Sequence, residues 1–171
     1  MAAGTRREEP GVPDRRDPLT ELLRHPDFRE GEVWERVRCA EGETVVREGE
    51  PGDSVYVVLA GQVRVLTRVS VDEAHAIRPG VAELGPGEVF GEMAAFHPGP
   101  RSATVVAVTD AELARIPAPA LERFLDAHPE LGYRLLKHVL ATLVGRLRRS
   151  NVRIAALFAW GLKAHGLDRH L

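Results

Sequence analysis

Cysteine is almost missing from this sequence. Cys39 stands alone, so no internal disulfide can form, and that usage suits a reducing compartment. No His or Asp motif accompanies Cys39, which reads it as a small strand residue rather than a nucleophile. Long apolar runs are also lacking. Met1 to Pro18 carries Arg6, Arg7, Arg15 and Arg16 where a secretory signal would place its apolar segment, and no later run is long enough to span a bilayer. A soluble, cytoplasmic chain is expected. Charge of one sign is not in excess: the formal net charge is -2, which removes any global attraction to nucleic acid or anionic membrane. An anion site must then be local. Metal-binding pairs are missing as well. The seven histidines, His75, His97 and His128 among them, show no His-x-His with a nearby carboxylate, so neither a metal nor a cupin-type enzyme is expected.

What remains is ordinary globular material. In 171 residues, 44% are hydrophobic and 28% charged, enough for one domain with a core. Residues 1–17 are polar, charged and interrupted by Pro10 and Pro13, and read as a disordered arm. Leu19, Leu22, Leu23 and Phe28 mark a short amphipathic helix or pair of turns between Pro18 and Glu30. The β-branched, often alternating stretches that follow predict strands at Val33 to Val37, Thr44 to Arg47, Ser54 to Leu59, Gln62 to Val69, Val81 to Leu84, Glu88 to Phe90, Ser102 to Val108 and Ala111 to Ile116. Turn residues such as Gly42, Gly49, Gly61 and Gly85-Pro86-Gly87 separate them. From Pro119 the period turns helical: a short helix to Ala127, then a long one from Pro129. Along the long helix Leu136, Leu140, Leu143, Leu147, Ser150, Ile154 and Leu157 recur at steps of four and three, a heptad seam with one polar interruption.

Chemistry concentrates between Phe90 and Val105. Gly91 follows a strand and opens the apolar run Met93 to Phe96, long enough for one helical turn. Free N–H groups at such a start attract a phosphate, and a glycine lets it come close. Arg101 begins the next strand and can offer two parallel N–H donors to phosphate oxygens, with the Ser102 hydroxyl beside it. Glu92 would repel an anion unless its oxygens faced a donor, and a ribose 2′-OH next to a cyclic phosphate is one. Arginine for the phosphate and glutamate for the sugar read one ligand twice.

The residues Phe90-Gly91-Glu92 and Pro100-Arg101-Ser102-Ala103-Thr104-Val105 resemble the phosphate-binding cassette of the cyclic-nucleotide-binding domain, with eight residues between Glu92 and Arg101. Gly42 to Val58 and the turn at Gly61 share the resemblance, which spans roughly Leu19 to Asn151. It implies an α+β fold: an eight-stranded antiparallel β-barrel or jelly roll (a double-stranded β-helix) flanked by an N-terminal helix and C-terminal helices, the last long. Residues 18–151 would be the binding domain and 152–171 a helical extension. It implies that Arg101 holds the phosphate, Glu92 the ribose 2′-OH, and the amides around Gly91 and Glu92 the phosphate rim. Phe90, Met93, Ala94, Ser102 and Ala103 complete the ligand-binding set. Either Thr142 or Arg146, four apart on the long helix, would meet the purine. Serine at position 102 points to cAMP, with cGMP the alternative. Relatives usually carry leucine where Ala95 stands, and His97-Pro98-Gly99 makes an unusual cassette tip.

A non-enzymatic sensor is expected, dimerising through the long helix and passing its state to a protein partner in trans. No helix-turn-helix is read after the long helix, so nucleic acid is not an expected partner, and Arg146, Arg148, Arg149 and Arg153 are read as a solvated basic face. Two other readings stand beside this one: a ligand-free dimerisation or interaction protein that keeps the cassette pattern, and a regulator working with a separate DNA-binding chain.

Overall fold

The computed structural model describes residues 17–70, 76–77, 79–93 and 99–164. The expected arm, except Asp17, lies outside the described residues, as do Ala94 to Pro98 of the cassette and residues 165–171. The chain divides into two compact units, one ending at Gly132 and one beginning at Tyr133.

The first unit opens with helix α1 (Pro18–Arg24). Asp17 caps it, accepting from the Thr20 backbone N–H and hydroxyl at 3.0 Å each, and Pro18 sits where no N–H is needed. Leu19 and Leu22 turn into the protein. A turn follows, held by Phe28, fully buried, whose carbonyl accepts from Trp34 Nε1 at 3.0 Å.

The strands are β1 (Glu35–Cys39), β2 (Thr44–Val46), β3 (Pro51–Gly52), β4 (Ser54–Ala60), β5 (Val63–Leu66), β6 (Val69–Ser70), β7 (Ala76–Ile77), β8 (Gly80–Leu84), β9 (Val89–Phe90), β10 (Gly99–Pro100), β11 (Thr104–Ala107) and β12 (Ala111–Pro117). They form two four-stranded antiparallel sheets, β1-β12-β4-β9 and β2-β11-β5-β8, and two short ribbons, β3 with β10 and β6 with β7. Both sheets feed one core. Cys39, Val58 and Leu113 from the first meet Val63, Leu84 and Val105 from the second. Val58, Val63 and Leu113 are at most 1% exposed, each worth about 1.5–3 kcal/mol of burial. Burial also raises the Cys39 thiol pKa, which leaves it inert.

The two four-stranded sheets are consistent with the jelly-roll form of the expected fold, and among the described residues no sheet closes on itself into a barrel. The short strands that could have joined the sheets pair with each other in the ribbons instead. The first strand also begins later than expected, at Glu35. Val33 is held in a turn, its N–H donating to the Arg29 carbonyl at 3.0 Å.

Helix α2 (Ala118–Ala127) follows β12 and buries Leu121 and Phe124. Helix α3 (Pro129–Ala164) starts in the first unit and makes up the described part of the second. It has 36 residues, about 54 Å at 1.5 Å per residue, and runs unbroken through Asn151. Leu140, Leu147, Ile154 and Leu157 of the heptad seam are exposed on it, as are Phe158 and Trp160. No helix among the described residues is long and apolar enough to cross a membrane.

Candidate functional site

Strand register builds the site. β10 lies antiparallel to β3 with Gly99 opposite Gly52, and this ladder runs on into Arg101, whose N–H donates to the Glu50 carbonyl at 2.8 Å. Gly49 N–H returns a bond to the Arg101 carbonyl at 2.9 Å. The backbone of Arg101 is thus fixed on both sides. Its side chain crosses a gap that only two glycines leave open. A Cβ on Gly52 would lie 2.8 Å from Arg101 Nε, and one on Gly91 would lie 2.7 Å from its Nη1 and 3.0 Å from the Ser54 carbonyl. Gly91 also has φ of +72°, a conformation that costs other residues energy.

The guanidinium itself is half-buried. Nη1 donates to the Ser54 carbonyl at 2.8 Å, and the carbon of the group stands 5.6 Å from the centre of the Tyr56 ring, in cation–π range. That accounts for one of five N–H donors. Among the described residues no carboxylate forms an ion pair with Arg101. A confined cation with no carboxylate partner among the described residues can serve as an anion receptor, most of all for a planar pair of phosphate oxygens.

Glu92, next to Gly91, is 9% exposed, a buried carboxylate with an interaction partner of its own in the chain. Phe90 is buried and stacks flat on Tyr56, ring centres 4.9 Å apart and planes 3° from parallel, because β9 pairs with β4 at that position. Phe90 therefore supports the floor under Arg101. Met93 and Ser102 are exposed and Ala103 half-buried, while Ala94 lies outside the described residues. Thr104 is buried, and its hydroxyl accepts from the Glu48 N–H at 3.0 Å, which ties the start of β11 to the Gly49 turn. Thr142 and Arg146 lie about one turn apart on α3, in the second unit.

Sequence reasoning passed over Gly52, Ser54, Tyr56 and Arg115. Ser54 is fully buried and joins two arginines. Its carbonyl takes Arg101, while its hydroxyl donates to Asp53 Oδ1 at 2.7 Å and accepts from Arg115 Nε at 3.2 Å. Arg115 comes from β12, where the register sets it against Glu35 on one side and Tyr56 on the other. It donates to Glu35 at 2.9 Å and lies 3.7 Å from Asp53. The Ser54 hydroxyl, and after it the charges of Arg115 and Arg101, hold the Asp53 carboxyl below its usual range. Only register could have announced this group, since its members come from three separate strands.

With this geometry in hand, comparison with known proteins is direct. The cyclic nucleotide-binding domain family matches over residues 36–128, more than half of the chain and all within the first unit. The chain is 33% identical over 116 residues to a CRP-like cAMP-activated global transcriptional regulator of Mycobacterium tuberculosis, covering 68% of this chain and 48% of that protein. It is 38% identical over 91 residues to the cAMP-dependent protein kinase regulatory subunit of Dictyostelium discoideum, 51% of this chain and 28% of that one. It resembles the crystal structure of a cyclic nucleotide-binding domain from Methylobacillus flagellatus with a TM-score of 0.64 and 30% identity, covering 71% of this chain and 66% of that one. The chain belongs to the cyclic nucleotide-binding domain family. It spans about half the length, or less, of these two curated relatives.

Proposed function

We propose that this chain is a non-catalytic sensor that binds a 3′,5′-cyclic mononucleotide, cAMP, with Arg101 on the phosphate. One observation carries the reading: the Arg101 guanidinium sits in a slot between Gly52 and Gly91, rests over Tyr56, and has no carboxylate partner among the described residues. Glu92 takes the ribose 2′-OH, and the amides of Gly91 and Glu92 take the remaining phosphate oxygens. Ser102 lies beside the phosphate, and either Thr142 or Arg146 meets the base. That two relatives are described as cAMP-activated and cAMP-dependent supports cAMP over cGMP. Arg101→Ala is expected to cost roughly 2–5 kcal/mol of binding, by leaving the phosphate charge unpaired. Calorimetry with both nucleotides tests this. Unchanged affinity in the variant, or no heat with either nucleotide in the native chain, overturns it and leaves the ligand-free interaction protein.

Occupancy would be passed on by the helices after β12, which ligand biases only as far as it prefers one of their arrangements. The partner of α3 is proposed to be a second copy of the chain. The support is the exposed seam of Leu140, Leu147, Ile154 and Leu157 at heptad steps. Leu140→Glu with Leu147→Glu should convert a dimer to a monomer in light scattering. A native chain that is monomeric at tens of micromolar contradicts the dimer without touching the ligand reading.

A further inference from the structure

Away from the cassette, the fold closes a group that the sequence keeps about a hundred residues apart. His25 and Asp27 lie in the turns after α1, and His128 ends α2. A nitrogen of each ring and a carboxylate oxygen of Asp27 all fall within 4.8 Å of one another. Asp27 Oδ2 is 3.4 Å from His128 Nε2 and 3.9 Å from His25 Nδ1.

Both histidines stand on fixed backbone. His25 N–H donates to Leu22 and its carbonyl accepts from Phe28, while His128 N–H donates to Phe124 and its carbonyl accepts from Gly132. The rings are 4.4 Å apart, each against Phe124, which is itself buried. The Asp27 backbone N–H donates to His25 Nδ1 at 3.2 Å, which makes that nitrogen an acceptor whose lone pair this contact engages. Metal at that nitrogen would replace this exposed contact. Arg29, two residues beyond Asp27, is held by the Pro26 carbonyl and Glu32.

The geometry points to a binding site for one divalent transition ion of the zinc and cobalt class, ligated by His25, Asp27 and His128. Two imidazoles and a carboxylate suit these ions, whereas magnesium and calcium prefer all-oxygen sets. Metal–ligand bonds of about 2.0–2.1 Å put tetrahedral ligands about 3.4 Å apart, the separation already present between Asp27 and His128. Asp27, 65% exposed, is free to close the half ångström that separates it from this spacing to His25. Rotation of the two imidazoles would bring their nitrogens, which lie within 4.8 Å of each other, to the same spacing, and the outer coordination positions are left to water. An ion there would clip the turns after α1 to the corner between α2 and α3.

The test is a titration of the untagged full chain with Co²⁺ at neutral pH, followed by visible absorption, then displacement by Zn²⁺. One equivalent should bind with a saturating absorption band. His25→Gln, His128→Gln and Asp27→Asn should each weaken binding by more than about tenfold, a loss that even outer-sphere changes can reach. Asp27→Asn alters an exposed side chain, so its loss cannot be laid to misfolding. Absence of a saturating band, or a triple variant that binds Co²⁺ as tightly as the native chain, overturns the site.

Discussion

Two arginines meet at Ser54 and live under opposite conditions. Arg115 has carboxylates on two sides, Glu35 at 2.9 Å and Asp53 at 3.7 Å, and shares the Ser54 hydroxyl with Asp53. Arg101 has a backbone carbonyl, an aromatic face and, among the described residues, no carboxylate in ion-pair range. Arg36, Arg38 and Arg64 follow the pattern of Arg115, each on a glutamate. Arg101 departs from that pattern, in a slot between Gly52 and Gly91, as the anion site proposed above requires. On the proposed reading, stability and ligand binding fall to neighbouring side chains, and substitutions should separate them.

The largest separation is expected at Arg101. Arg101→Ala should lower nucleotide affinity by about thirtyfold to several thousandfold, the equivalent of roughly 2–5 kcal/mol, while the thermal midpoint moves little. Gly52→Ala comes next. Position 52 has no left-handed backbone to strain, and the new methyl would press on Arg101 Nε, Cδ and Cζ at 2.8–3.0 Å, all side-chain atoms that can move. The guanidinium should swing out of its slot. Affinity is then expected to fall by about tenfold or more, with stability changed by less than about 1 kcal/mol. Equal affinity in Gly52→Ala and the native chain would show that the slot does not matter. Arg115→Ala should behave the other way round. Its charged partners, Glu35 and Asp53, are on the surface, its side chain is 40% exposed, and exposed pairs are worth about 0.2–1 kcal/mol. A small loss of stability with affinity inside about threefold is expected; an affinity loss as large as that of Gly52→Ala would erase the distinction between the two arginines.

Much of this corner was legible locally. Gly91, Glu92 and Arg101 stand within one short stretch, and their chemical types alone suggest a phosphate and a sugar hydroxyl. The strands were legible too, wherever β-branched residues alternate between clear turns. The remainder depends on pairing. Pro51-Gly52 and Gly99-Pro100 show no strand signal, yet they form the ribbon that carries Arg101 to its place. Alternation reports which face of a strand is buried but not which edge it offers, so a barrel and an open sandwich leave the same pattern. Tyr56, Ser54 and Arg115 meet because β12 sets Arg115 opposite Tyr56 and Pro117 opposite Ser54. The cluster of His25, Asp27 and His128 escaped for the same reason. Val33 was misassigned on propensity because the hydrogen bonds of the turn at Arg29 outweigh a β-branched side chain.

The finest test of the comparison is pH. Asp53 is held ionised first by the Ser54 hydroxyl, then by Arg115 and Arg101, so its native pKa lies below its unfolded one. A depressed carboxyl contributes stability that is fully present above the unfolded value, near pH 4, and is lost as pH falls through the native value. Asp53 is 79% exposed, and solvent keeps the contribution small. Denaturant unfolding of the native chain and of Asp53→Asn should therefore run parallel above about pH 5 and converge below about pH 4. Arg115→Ala should shrink the convergence, and saturating cyclic nucleotide should shrink it as well, because a phosphate on Arg101 offsets the charge that Asp53 feels from that side. If nucleotide leaves the Asp53 titration unmoved while Arg115→Ala shifts it, Arg101 is too far from the phosphate to be its main partner.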